Sequence, residues 1–287
     1  MKEKTEEKVQ EKDLELPDEI TEATGTWPRD LIIVSIPKMG KGSILGEFTK
    51  THNAIVLDLE KGGYEYISAR KLTTYPTDDT DKYGSFLNYV KYRNLLMKNR
   101  GKYEFLIVDG ITDLDDLSEL GGTFAYMDSI TGLSWNRVRG ADGKPQKGGP
   151  KIPYGDPEWK SVTTMGEGFG YRHTRDWFMQ QIDIFKQISP YRIYAAHVAD
   201  KYIKDNGKEE VVGAEIFVTG KLKNMLAAKV TALGKLIADG NTRYINFDVL
   251  NDSIIAGSRA TYLKGKILIS KMEDNDLITY WDSIYKK

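Results

Sequence analysis

The chain contains no cysteine, which excludes disulfide staples, thiolate metal sites and a cysteine nucleophile. Histidine is scarce: His52, His173 and His197 are the only three, too scattered to suggest a histidine-rich metal centre. No apolar run approaches the ~20 residues that a membrane-spanning helix needs, so no membrane partner is expected. The first residues lack the apolar core of a secretory signal, and a cytoplasmic protein is the expectation. An excess of one charge is missing as well, with 41 Lys and Arg against 42 Asp and Glu. That balance hides an asymmetry. Residues 1–22 hold four lysines and nine acids, so the remainder is net basic. Residues 1–26, charged and poor in large apolar side chains, read as a solvated, disordered tail.

What is present suffices for a sizeable core: 287 residues, 40% hydrophobic and 11% aromatic, the size of one large α/β domain or two small ones. Apolar runs of strand length at 31–36, 54–58, 105–109 and 192–198 alternate with helical patterns, among them 41–51, 84–100 and 176–189. Such runs predict a mostly parallel central sheet flanked by helices. A short helix is expected at 62–71. Three further strands are expected at 230–237, 243–247 and 266–270, giving antiparallel strands near the C-terminus. Two stretches resist the pattern. Residues 116–172 read as a long loop insertion, and 200–224 are polar and then glycine-punctuated.

The first strand ends at Val34-Ser35-Ile36-Pro37-Lys38-Met39-Gly40-Lys41-Gly42-Ser43. A tight turn, a Gly-Lys pair and a helix start are the build of a phosphate-binding loop. Pro37, Lys38, Met39, Gly40, Lys41, Gly42 and Ser43 are therefore the candidate nucleotide-binding residues, with Lys41 reaching the outer phosphate oxygens. Against the pattern G-x-x-x-x-G-K-[ST], Ser35 stands for the first glycine. Gly42 stands for the magnesium-holding hydroxyl, one place before Ser43. The alternative is a flexible strand-to-helix turn with a surface lysine.

Ligands of open parallel sheets sit outside the C-terminal strand ends. Besides Lys41, three polar positions fall there: Asp58 with Glu60, Asp109, and His197. Asp109 closes Phe105-Leu106-Ile107-Val108 and fits a Walker B carboxylate holding the water shell of Mg2+, with Ser43 as a second metal candidate. Its alternative is an acid capping the next helix. Glu60 could orient the attacking water as general base, and His197 could sense the γ-phosphate; the alternatives are a surface acid and a satisfied strand-end histidine.

The order phosphate loop, Asp58-Leu59-Glu60, Leu106-Ile107-Val108-Asp109 and Ala195-Ala196-His197-Val198 resembles the RecA-like P-loop ATPases. Within them it is similar to the phage-encoded group associated with single-strand annealing recombination. Gly166-Glu167-Gly168-Phe169-Gly170-Tyr171, Gly220-Lys221-Leu222-Lys223-Asn224 and Gly257-Ser258-Arg259 with Trp281 are similar to that group too. The resemblance implies one RecA-like ATPase domain over 27–287, catalytic roles for Glu60 and His197, and ATP with Mg2+. It implies self-association into a ring or filament, phage recombination or replication partners, and a host cytoplasm. It also implies a cation inserted into a neighbour's site, for which Lys221 and Lys223 are the main candidates, beside Arg243 and Arg259. Gly110 departs from the serine often found after the Walker B acid.

In such ATPases the loops after the Walker B acid and after the switch residue face DNA. From Arg137 to Lys160 six cations meet three acids, with Trp135, Tyr154 and Trp159 interleaved. Cations for phosphates and aromatics for bases suit single-stranded DNA, and Arg137, Arg139, Lys144, Lys147 and Trp159 are its candidate contacts. The alternative is a solvated loop whose aromatics pack back onto the domain. The expected function is ATP hydrolysis with single-stranded DNA in phage recombination or replication. The runner-up is a non-hydrolysing nucleotide-binding regulatory or assembly protein with a degenerate loop; a small-molecule kinase ranks third, lacking an arginine-rich lid.

Overall fold

The five parallel strands nearest the candidate site owe their positions to apolar residues on both faces. β1 (Asp30–Ser35), β2 (Ala54–Asp58) and β4 (Phe105–Asp109) are buried throughout. The structure, a computed structural model, describes residues 25–205, 208–248 and 256–286, with the backbone alone for 200–205 and 208–214. Side chains alternate between two cores, as strand pleating requires. Ile32, Val34, Ile55, Leu57, Leu106, Val108, Tyr194 and Ala196 face one core. Leu31, Ile33, Ala54, Val56, Phe105, Ile107, Ile193 and Ala195 face the other.

α1 (Lys41–Thr51) covers the second face with Ile44, Leu45 and Phe48. α2 (Lys82–Lys98), α3 (Ile111–Met127), α4 (Phe169–Ile188) and α5 (Leu222–Lys229) cover the first. The sheet is completed by β3 (Lys71–Thr73), β5 (Tyr191–Asp205), β6 (Lys208–Ile216), β7 (Ala232–Asp239), β8 (Thr242–Asn246), β9 (Gly257–Ser258), β10 (Lys266–Glu273) and β11 (Asp276–Thr279). Its order is β11-β10-β8-β7-β1-β5-β4-β2-β3, with β6 on β5 and β9 on β7. Pairing is parallel from β7 to β3 and antiparallel from β7 to β11. The α/β class, the mainly parallel core and the antiparallel C-terminal strands thus match expectation.

Register does the positioning. Ser35 lies beside His197, and Asp58 beside Asp109. β5 is inserted between β1 and β4, so the phosphate loop and the Asp109 strand end flank the His197 strand. At the opposite edge the buried Arg192 guanidinium holds both oxygens of Asp30 at 2.8 Å, fixing β1 against β5.

Several expectations need correction. Residues 62–71 form turns and then β3, not a helix; the Gly62–Gly63 pair disfavours helix, and β2 offers an open edge. The 116–172 insertion is shorter, because α3 runs to Met127 and α4 begins at Phe169. The apolar spacing missed the start of α4 because Phe169 and Tyr171 point to solvent there. Residues 200–205 extend β5 and residues 208–216 pair back along it as β6, paired strands where a loop was expected. Residues 1–24 of the expected tail lie outside the described residues.

Candidate functional site

The loop after β1 turns by left-handed backbone at two places, Lys38 (φ 63°) and Gly40 (φ 83°). Gly40 caps α1 without a side chain, and the first turn contains no acid. The opening N–H groups of α1 are thus left to an outside acceptor, at the positive end of the helix dipole. A cavity of about 300 Å³ lies over this turn. Pro37, Lys38, Gly40, Lys41, Gly42 and Ser43 line it together with Glu60, Asp109 and His197. Met39 is the one loop candidate outside the lining; its carbonyl accepts from Arg243 Nε at 3.2 Å.

Four strand ends therefore converge. Lys41, only 7% exposed, places Nζ 2.7 Å from Glu60 Oε1 and 3.0 Å from Asp109 Oδ1. Burial pulls this ammonium's pKa down, but the charges of Asp109 and Glu60 outweigh it, and the net shift is upward. Glu60 Oε1 also meets His197 Nε2 at 3.1 Å. Burial pushes the Glu60 carboxyl up; the His197 hydrogen bond and the Lys41 charge more than offset this, leaving it at about 2. His197 Nδ1 is buried and has no hydrogen-bond partner among the described residues.

Asp109 is 1% exposed, and burial shifts its carboxyl upward despite Lys41. Its Oδ2 accepts from the Tyr64 hydroxyl at 2.9 Å. Its Oδ1, apart from the ion pair with Lys41, accepts no hydrogen bond from a described residue. Asp58 lies alongside, accepts from the Glu60 N–H at 3.2 Å and from the Thr73 hydroxyl, and is driven by burial to about 6. It braces the Glu60 turn and does not line the cavity.

Two of the departures from the ATPase pattern, Gly110 and Gly42, have local causes. A Cβ on Gly110 (φ 99°) would lie 2.7 Å from Asp113 Oδ2 and 3.1 Å from Glu60 Cγ. A Cβ on Gly42 would lie 3.1 Å from Ile67 Cδ1 and 3.8 Å from Tyr64 Cζ. Gly110 makes room for the acids Glu60 and Asp113, and Gly42 for the Ile67 side chain.

No group of three or more His, Cys, Asp or Glu among the described residues is arranged to hold a metal alone. A magnesium ion carried on phosphates asks less: one or two carboxylates, with water completing the shell. Asp109 fits: apart from the Lys41 ammonium, which a polyphosphate competes for, its Oδ1 has no hydrogen-bond partner among the described residues. Ser43 lines the same wall, and its hydroxyl makes no hydrogen bond to a described residue.

The remaining candidates scatter. Arg137 is 6% exposed, and its guanidinium donates to the carbonyls of Met127, Leu133 and Gly149. It pins the 128–161 segment and does not face solvent. Trp159 packs on Phe124 and Tyr154, and Trp135 donates to Lys160 O and lies edge-on to Tyr126. These rings pack back onto the domain. Arg139, Lys144 and Lys147 are exposed around a small hairpin. Lys223 pairs with Glu215 at 2.5 Å, whereas Lys221 is exposed without a partner among the described residues. Arg243 braces the phosphate loop within its own chain, and Arg259 donates to Ala228 O.

Two residues with a place at this site were missed. Tyr64 sat in a segment read as helix. Asp113, in the first turn of α3, is pushed up to about 7 by burial and by the charges of Glu60 and Asp116. A Gly-Gly pair four residues after Asp58, and an acid four residues after Asp109, were the available signals. No protein-family model matches the chain, and no curated protein matches it in sequence.

Proposed function

We propose that the protein binds ATP in the cavity over the Pro37–Ser43 loop and hydrolyses it as a RecA-like P-loop ATPase. The observation that carries this reading is the meeting of Lys41, Glu60, Asp109 and His197 above an uncapped helix N-terminus. Open N–H groups and a buried ammonium suit a polyphosphate. Magnesium, held through Asp109 and Ser43, would neutralise phosphate charge as the γ-phosphoryl leaves.

The chain's own residues supply the rest. Free of ligand, Glu60 is a poor base, because Lys41 and His197 share its Oε1 and hold its pKa near 2. A triphosphate on the loop competes for the Lys41 ammonium. Released from that pair, Glu60 regains basicity and can take the proton of the attacking water. His197, donating to the same oxygen and standing where β5 runs on into the β5–β6 pair, then reports the phosphate state to that pair.

Single-stranded DNA and self-association belong to this proposal as partners. Support for DNA is narrower than the sequence implied: Arg139, Lys144 and Lys147 are exposed, while Arg137 and Trp159 serve the fold. The runner-up, a nucleotide-binding protein without turnover, is favoured by Gly42 and by the closed Lys41–Glu60 pair. Phosphate release from Mg-ATP, with and without single-stranded DNA, separates the two. Glu60→Gln should keep ATP binding and slow turnover by about 10²-fold or more. A wild-type protein that binds no nucleotide would refute the whole reading, and unchanged turnover in Glu60→Gln would reject Glu60 as the base.

A further inference from the structure

The phosphate loop carries glycine at the position where a hydroxyl usually meets magnesium. The volume beside Gly42 is not empty. A Cβ there would come within 3.8 Å of Tyr64 Cζ, the ring carbon that bears the phenol oxygen. Tyr64 is 2% exposed, and its hydroxyl donates to Asp109 Oδ2 at 2.9 Å. The other Asp109 oxygen has only the Lys41 ammonium, at 3.0 Å, beside it among the described residues.

The local chain is built to deliver this phenol. Gly62 takes a left-handed conformation (φ 72°). A Cβ on Gly63 would lie 3.0 Å from Glu60 Cβ and 3.1 Å from Asp58 Oδ1, so glycine there lets the turn close without pressing on either acid. The Lys71 ammonium donates to the Tyr64 carbonyl and sits 5.8 Å over its ring, fixing the side chain from the far side.

We propose that Tyr64 replaces the hydroxyl missing at position 42: a positioning residue whose phenol holds Asp109 in place for the divalent cation of a bound nucleotide. The inference rests on the ATP-binding reading above. Gly42 and Tyr64 form an exchange pair, in which the loop lacks a hydroxyl and tyrosine returns one from another strand end. A tyrosine that merely buries its ring would also satisfy its hydroxyl on a nearby acceptor, so the test must separate positioning from packing.

The experiment is titration of a fluorescent ATP analogue in EDTA and in Mg2+, on the full chain, with thermal melting as a folding control. The wild-type protein should bind more tightly with Mg2+. Tyr64→Phe should keep the EDTA affinity and lose about tenfold or more of the Mg2+-dependent gain, the weight of one hydrogen bond to a charged group. Gly42→Ser with Tyr64→Phe should restore that gain, since Ile67 Cδ1 at 3.1 Å is a flexible end that can yield. Gly42→Ser alone should add little, because the hydroxyl is already supplied. Three results overturn the proposal: a full Mg2+ gain in Tyr64→Phe, an equal loss with and without Mg2+, or no recovery in the double variant. Nucleotide binding that ignores Mg2+ in the wild type overturns it too but spares ATP binding; no nucleotide binding at all overturns both.

Discussion

Replacing Lys41 with methionine probes the site in two independent ways. The ammonium is buried between Glu60 and Asp109 at 2.7 and 3.0 Å. Methionine keeps most of the chain length but no charge. Two carboxylates then remain desolvated beside each other with their common counter-ion gone. Breaking a buried ion pair from one side costs about 3–5 kcal/mol. At about 2–4 °C per kcal/mol for a chain of this size, Lys41→Met should melt roughly 6–20 °C below the wild type. Adding Glu60→Gln removes one of the stranded charges and should restore part of that loss. Nucleotide binding should behave differently. ATP affinity, followed by calorimetric titration, should vanish in Lys41→Met and stay absent in Lys41→Met/Glu60→Gln, because the phosphate-binding cation is missing from both. A melting temperature equal to wild type would refute the buried triad. Wild-type ATP affinity in either variant would refute the role of Lys41 on phosphate, however the stability moved.

Two further outcomes test other parts of the reasoning. Asp113 rises from 3.8 to about 7 on folding, through burial and the charges of Glu60 and Asp116. A folded pKa above the unfolded one means that the folded state holds the extra proton between those values, so stability falls as pH climbs from about 4 to 7. Asp113→Asn should therefore match the wild type near pH 4 and melt higher at pH 8. The gain is on the order of 2 kcal/mol, about half the full linkage value because the carboxyl keeps some solvent; equal melting curves at pH 8 would reject the crowding of these acids. For single-stranded DNA, changing Arg139, Lys144 and Lys147 together to glutamine should flatten the dependence of log affinity on log salt by about 2, the release expected from three phosphate contacts. An unchanged slope would place the polynucleotide elsewhere on the surface.

Strands were the legible part of this chain, for a physical reason. β1, β2 and β4 are buried on both faces, so their sequences run apolar without a break and end abruptly at Ser35, Asp58 and Asp109. A parallel sheet gathers such ends at one edge, which is why Lys41, Glu60, Asp109 and His197 could be grouped before their distances were known. β3 escaped notice because it has three residues and is carried by its pairing with β2 rather than by its own composition.

The partners within the site were not legible, because they depend on register between segments far apart in sequence. That Glu60 Oε1 serves both Lys41 and His197 follows from Ser35 lying beside His197 and Asp58 beside Asp109; a slip of two residues in either pairing would separate them. The same holds for Arg137. Its charge suggested a phosphate contact, but two carbonyls of its own loop and that of Met127 at the end of α3 lie within 3.1 Å of its nitrogens, and a buried carbonyl without a donor is costly to leave. Tyr64 carries the lesson furthest. A pattern search sees a hydroxyl missing from Gly42 and counts a defect. The fold brings a phenol to the edge of that gap from 22 positions along the chain and attaches it to Asp109. A loop motif fixes which functional groups a phosphate site needs, whereas the fold decides which segment provides them, so a departure from the motif is informative only once the neighbouring strand ends are known.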